Sequence, residues 1–182
     1  RKVIIRDTAL AVPFSFTTDN YQILARIISF DQARNQLVLD DIKQSMAKGQ
    51  KTLVLSERKE HLEMLNMYLK GSCEAILITG DDSAVSRKSK FAQIASGHYQ
   101  VILATGQLVG EGMDGPDIQT IGLAFPLAFE GKLTQYIGRI RGAQKTVYDY
   151  HDASTPFFDR QFKKRKKFYE KNAFVIERKS TI

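Results

Sequence analysis

The run Ala104–Pro116 carries four of the chain's twelve glycines (Gly106, Gly110, Gly112 and Gly115) together with Asp114. Glycine lets a backbone come close to a phosphate or ribose and leaves N–H groups free for an anion, and a carboxylate such as Asp114 suits ribose hydroxyls. The same run suits equally a tight turn whose aspartate caps the next element. A second group, Gln135–Gly142, sets Arg139 and Arg141 close together beside Gly138. A guanidinium is planar, always charged and matched to phosphate oxygens. Placed on a γ-phosphate, it stabilises the charge developing in phosphoryl transfer, worth roughly three to five orders of magnitude in rate. Taken alone, two surface arginines paired with acidic neighbours are the more ordinary arrangement.

Three apolar runs of one design could position these groups: Thr52–Ser56, Ala75–Thr79 and Val101–Thr105. Each is short, rich in branched residues and free of polar alternation, as expected for strands buried on both faces of a parallel sheet. Each also ends in a hydroxyl residue: Ser56, Thr79 or Thr105. Ser56 is placed to cap a helix over Glu57–Lys70, with Leu62, Leu65, Met67 and Leu69 apolar and Gly71 as the stop. Ser83 opens a second helix reaching Ser96, stopped by Gly97. Gln119–Phe125 and Lys145–Tyr150 read as further strands, separated by a helix over Lys132–Arg139. Upstream, Asp31–Lys48 reads as an amphipathic helix through Ala33, Leu37, Val38, Ile42 and Met46. Val3–Ile5 and Leu10–Val12 look strand-like, Pro13 interrupts, and Tyr21–Phe30 suits a helix.

Alternating strands and helices predict an α/β domain with right-handed crossovers and a mostly parallel central sheet. In such sheets ligands bind beyond the carboxyl ends of the strands, where Ser56, Thr79 and Thr105 share one edge.

The 182 residues hold 43% apolar and 26% charged side chains, the balance of a folded globule. No apolar run reaches the roughly 18–20 residues that span a bilayer, so no membrane role is expected. One cysteine, Cys73, allows no internal disulfide and no cysteine-rich metal cluster, and a reducing, cytoplasmic setting is expected. The first residue is not methionine, which suggests a piece of something longer. His61, His98 and His151 form no metal-binding pattern, so no metal site is expected here. Between Asp159 and Lys171, seven cations face two acids, five of the whole chain's net charge of +7. Phe157, Phe158, Phe162, Phe168 and Tyr169 share one side of this basic helix, Thr155–Lys171. That points to docking on the domain's own core, with the lysines in a secondary electrostatic role beside an anionic partner.

In order, the segments Leu53–Leu62, Leu77–Gly80, Ile102–Asp114, Gln135–Arg139 and Tyr148–Tyr150 resemble the C-terminal RecA-like domain of superfamily 2 helicases of the DEAD and DEAH kind. The branch most similar is that of type III restriction-subunit-like helicases. The resemblance is strongest over residues 49–152, which it implies to be a three-layer α/β/α core. Residues 1–48 then form a lead-in segment and helix, and 153–182 a basic helix and tail. The resemblance implies that Ser56, Arg58, Thr79, Gly80, Thr105 and Gly106 contact the nucleic-acid backbone. It implies that Gly112 and Asp114 approach the ATP ribose, that Gln135, Arg139 and Arg141 serve catalysis, and that Arg139 is the arginine finger. The family usually carries a second arginine where this chain has Gly142, and Arg141 sits one residue early.

No phosphate loop of the G-x-x-x-x-G-K-[ST] form and no strand-borne acidic Mg²⁺ motif occurs in the sequence. By the resemblance, ATP with Mg²⁺ would be held mainly by a separate N-terminal RecA-like domain, and this segment alone would be inactive. DNA is favoured over RNA by the restriction-like resemblance. The alternative is a non-catalytic RecA-like module that binds nucleic acid or protein, which Gly142 favours.

Overall fold

In the computed structural model, residues 1–12, 21–111, 113, 117–126, 130–139 and 144–180 are described, with Gly110, Glu111, Glu130 and Arg139 described by their backbone alone. Arg141, Gly112 and Asp114, three of the expected site residues, lie outside them.

The apolar runs are strands: β1 (Lys2–Asp7), β2 (Thr52–Leu55), β3 (Ala75–Ile78), β4 (Val101–Ala104), β5 (Thr120–Leu123), β6 (Thr146–His151) and β7 (Val175–Lys179). They form one sheet in the order β3-β4-β2-β5-β6-β1-β7, and all its pairings are parallel. Parallel neighbours require crossovers, and helices supply them: α1 (Tyr21–Phe30), α2 (Gln32–Ala47), α3 (Lys59–Leu69), α4 (Ala84–Ala95), α5 (Gly106–Glu111), α6 (Glu130–Arg139) and α7 (Pro156–Lys171). Alternate residues of each strand feed two cores. Ile4, Val54, Leu103 and Tyr148 pack with α2 and α3, while Ile5, Leu55, Ile102, Leu123 and Val147 pack with α5, α6 and α7. The result is the three-layer α/β/α architecture expected. Gly49, Gly71 and Gly97 adopt positive φ just past α2, α3 and α4, the helix-ending geometry that suits glycine.

The structure corrects several expectations. Leu10–Val12 is not a strand, because Leu10 instead plugs a small cluster with Leu24, Ala25, Ile28, Phe125 and Phe158. Helix α3 starts at Lys59 with Arg58 at its N-cap, so Ser56 stands before the cap. Met67 of α3 faces solvent, 63% exposed. In α2, Ala33 is exposed and the buried face includes Arg34, Asn35, Asp41 and Ser45, so polar residues hold places that an apolar stripe was expected to fill. Helix α5 begins inside the glycine run, and β7 extends the sheet beside β1. Sequence patterning revealed neither element.

Helix α7 docks by its aromatic face: Phe158, Phe162, Phe168 and Tyr169 are buried. Arg165, one of the seven cations of the basic run, is buried with them. It forms two 2.9 Å hydrogen bonds to Asp149 of β6, which also accepts from the Tyr169 hydroxyl at 2.7 Å. The other six cations, Arg160, Lys163, Lys164, Lys166, Lys167 and Lys171, remain exposed.

Candidate functional site

The sheet brings three hydroxyl residues to one level. Leu55 pairs with Ala104, and Ala104 with Ile78, so Ser56, Thr79 and Thr105 each follow a matched position on adjacent parallel strands. Their side chains differ in what they offer. Thr79 is 6% exposed, and its N–H donates to Asp82 Oδ2 at 2.9 Å, which tightens the turn carrying exposed Gly80. Burial pushes the Asp82 carboxyl up, but Lys90 at 2.6 Å and the Thr79 N–H hold it below the usual carboxylate range. Thr105 is half-buried and leads into α5.

Ser56 is fully buried. Its hydroxyl accepts from the Arg58 N–H at 3.1 Å and lies 3.1 Å from His61 Nδ1. His61 Nε2 in turn meets Asn35 Oδ1 at 2.8 Å, and the Asn35 amide donates to the Ser29 carbonyl at 2.9 Å. This chain of bonds shapes the β2–α3 loop from within. Burial first, and then Arg34, push the His61 pKa down to about 3, so the imidazole is neutral. Arg58, expected at the nucleic-acid backbone, sits at the rim with Nη2 donating to Gln22 Oε1 at 2.6 Å.

A second buried brace ties the same edge together. Arg34 Nε and Nη2 donate to the two oxygens of Asp152 at 2.8 and 3.1 Å, and Nη1 donates to the Ala124 carbonyl. Asp152 also accepts from the Thr8 hydroxyl at 2.6 Å. One arginine of α2 thereby joins the chain just beyond β1, β5 and β6. Sequence reasoning missed Arg34, Asn35 and His61. For Arg34 and Asn35 the available signal was polar residues within the apolar period of α2, whereas His61 lies on the buried face of α3.

Helix α6 connects this edge to the expected catalytic residue. Near its start, Lys132 Nζ lies 3.0 Å from Glu57 Oε1 in the β2–α3 loop. Midway, the Tyr136 phenol packs on Gly106, where a Cβ would overlap its hydroxyl and ring. Gly106, expected at the nucleic-acid backbone, therefore also makes room for α6. In the last turn, buried Lys145 donates to the Ile137 carbonyl at 2.9 Å. Burial first, and then Arg1, push this ammonium's pKa down. Gln135 is exposed, one turn before Arg139 at the end of the helix. Because α6 runs back from the carboxyl edge, Arg139 ends near the residues that open β6, away from Ser56, Thr79 and Thr105.

Gln135 and Arg139 stand on one helix, while the sequence has no phosphate loop, and among the described residues no three His, Cys, Asp or Glu side chains gather to hold a metal ion. Among those residues no helix is long and apolar enough to cross a membrane.

A family model described as helicase conserved C-terminal domain matches residues 32–142. A comparison with curated protein sequences returns no match. Among solved structures, T4 UvsW is similar with a TM-score of 0.74 at 16% identity, over 100% of this chain and 42% of that one. The C-terminal domain of the DEAD-box protein Dbp5 is similar with a TM-score of 0.62 at 15% identity, over 99% of this chain and 90% of that one. The helicase domain of Pyrococcus furiosus Hef follows with a TM-score of 0.59 at 20% identity, over 79% and 30%. The chain thus spans less than half of UvsW, and none of these structures singles out the restriction-subunit-like branch.

Proposed function

The chain belongs to the helicase conserved C-terminal domain family, and from that premise we propose that it is the second motor domain of an ATP-dependent superfamily 2 nucleic-acid helicase or translocase. The observation that carries this reading is α6, whose start is bonded to the β2–α3 loop, whose middle seats on Gly106, and whose end bears Arg139. One rigid helix then joins the candidate nucleic-acid edge to the candidate arginine finger.

In this reading Ser56, Arg58, Thr79, Gly80, Thr105 and Gly106 form the backbone track. Ser56 acts by shaping its loop, and exposed Gly80 and the Arg58 rim lie nearest to a strand. Backbone contacts position a protein without reading sequence, so base specificity is not expected. Gly112 and Asp114 take the ATP ribose, and Gln135, Arg139 and Arg141 face the phosphates. ATP supplies the phosphoryl group for hydrolysis, and its Mg²⁺ belongs to the parent's N-terminal RecA-like domain. Lys145 and Tyr136 hold α6 so that Arg139 is delivered to that domain when the two close. A preorganised cation of this kind stabilises charge that develops in the transition state.

DNA is the favoured substrate through the restriction-like resemblance alone. Dbp5 of S. cerevisiae is described bound to RNA and ADP BeF3, and its C-terminal domain bound to Gle1. The test is steady-state ATP hydrolysis by the intact parent with DNA, with RNA and with neither. Arg139→Ala is expected to lower the stimulated rate by roughly three to five orders of magnitude while ATP binding persists. Wild-type turnover in that variant overturns the assignment.

Gly142, in place of a second arginine, favours a different reading, a RecA-like module that binds nucleic acid or protein without hydrolysis. Nucleic-acid binding with no ATP hydrolysis under any condition would support it.

A further inference from the structure

The exposed face of α7 is more ordered in its charge than its composition suggests. Lys163 and Lys166 are each partnered within the helix, to Asp159 at 2.7 Å and to Glu170 at 3.6 Å. Arg160, Lys164, Lys167 and Lys171 have no carboxylate within ion-pair distance among the described residues. Their spacing of four, three and four residues puts them in a wedge of roughly 60° on one side of the helix. The stripe runs roughly 16 Å along the axis at about 1.5 Å per residue. Like charges at these spacings repel. The helix dipole favours cations at the carboxyl end, which accounts for Lys167 and Lys171 but not for Arg160 near the amino end.

The stripe is continuous with the candidate track. Arg58 bonds to Gln22 of α1 at 2.6 Å. The neighbouring Tyr21 ring lies 5.5 Å from Phe157, over which the Arg160 guanidinium sits at 5.9 Å. From there Lys164, Lys167 and Lys171 lead away from the carboxyl edge.

We infer that Arg160, Lys164, Lys167 and Lys171 of α7 form an accessory binding surface for a nucleic-acid phosphate backbone, extending the track that begins at Arg58. One strand of a duplex carries a charge about every 3.4 Å of axis, so four to five phosphates project onto the length of the stripe. The direction of the path rests on the nucleic-acid reading of the carboxyl edge, whereas the phosphate affinity of the stripe does not depend on hydrolysis.

The test measures how affinity for a fluorescein-labelled oligothymidine, and for a labelled duplex, changes with salt in the intact protein. Neutralising the stripe (R160Q/K164Q/K167Q/K171Q) is expected to reduce the slope of log K against log[salt] by about 3 on the single strand or about 3.6 on the duplex. The control K163Q/K166Q, which touches the partnered lysines, is expected to change it by about 1 or less. An unchanged slope in the fourfold variant, or equal changes in both variants, overturns the proposal. So does loss of sedimentation with phosphatidylserine vesicles at an unchanged nucleic-acid slope, which would make the surface a membrane-facing one. Should the fourfold variant fail to fold, K164Q alone is expected to lower the slope by about 0.7 to 0.9, and no change there overturns the proposal equally. A changed slope beside normal turnover in Arg139→Ala would overturn the motor reading and leave this surface standing.

Discussion

At the carboxyl edge, polar groups are bonded into one another, from the Ser29 carbonyl through the buried side chains of Asn35 and His61 to Ser56, and from half-buried Thr8 through buried Asp152 to Arg34. Along α6 the ties are separate: an ion pair at Lys132, a ring on Gly106 at Tyr136, and one ammonium on a carbonyl at Lys145. The first arrangement fixes a loop in one shape. The second fixes a helix at points along its length and leaves its far end to carry Arg139. In the proposed motor reading, an edge that grips a strand gains from rigidity, and a helix that reports that grip gains from being moved as a unit.

The largest effect is expected at the edge. Arg34→Ala leaves Asp152 buried without its partner, and breaking such a pair costs about 3–5 kcal/mol. Urea unfolding measures it, and a loss under 1 kcal/mol would mean that the edge is no more tightly tied than α6.

The pH dependence of stability is next. His61 is neutral in the fold with its pKa near 3, whereas the unfolded imidazole takes a proton near 6.5. As pH falls from 6.5 toward 3, the unfolded state binds the proton first, and stability present above 6.5 is lost. The slope is about 1.4 kcal/mol per pH unit over that window. Melts of wild type and His61→Gln across this range should differ in slope. Parallel curves would remove His61 from the brace.

The smallest effect is expected on the flank. Gly106→Ala puts a methyl group into the Tyr136 phenol, and overpacking of this kind costs about 1–3 kcal/mol. Tyr136→Ala in the same chain should recover part of that loss, and strict additivity of the two changes would show that ring and glycine are not coupled.

The sequence made the strands legible because β2 and β4 are buried on both faces, and edge strand β3 on one face with the other half-buried, so all three read as unbroken apolar runs. The cap at Ser83 and the stop at Gly97 were legible for a local reason, since each is settled within one turn of chain. Ser56 was misread as a cap because its hydroxyl is taken by the Arg58 N–H, ahead of the helix, and by His61, which Asn35 of another helix holds in turn. Arg34 broke the expected stripe of α2 because its charge is neutralised by Asp152, far away in sequence. Helix α5 hid inside a glycine-rich run, whose Gly106 makes room for Tyr136. β7 hid because Val175 and Ile176 are followed by Glu177, Arg178 and Lys179, the charged composition of a sheet edge.

The position of β1 bears on how the chain is made. Lys2 pairs with Thr146 on one side and with Val175 on the other, so both neighbours of this strand are synthesised well after it. During synthesis the apolar residues Val3, Ile4 and Ile5 have no strand to pair with until nearly the whole domain is available. Pairings this remote in sequence make folding slow and leave hydrophobic segments exposed meanwhile. A strand made this far ahead of its partners is among the last of the domain to be housed, and a nascent chain paused before β6 would present it to chaperones.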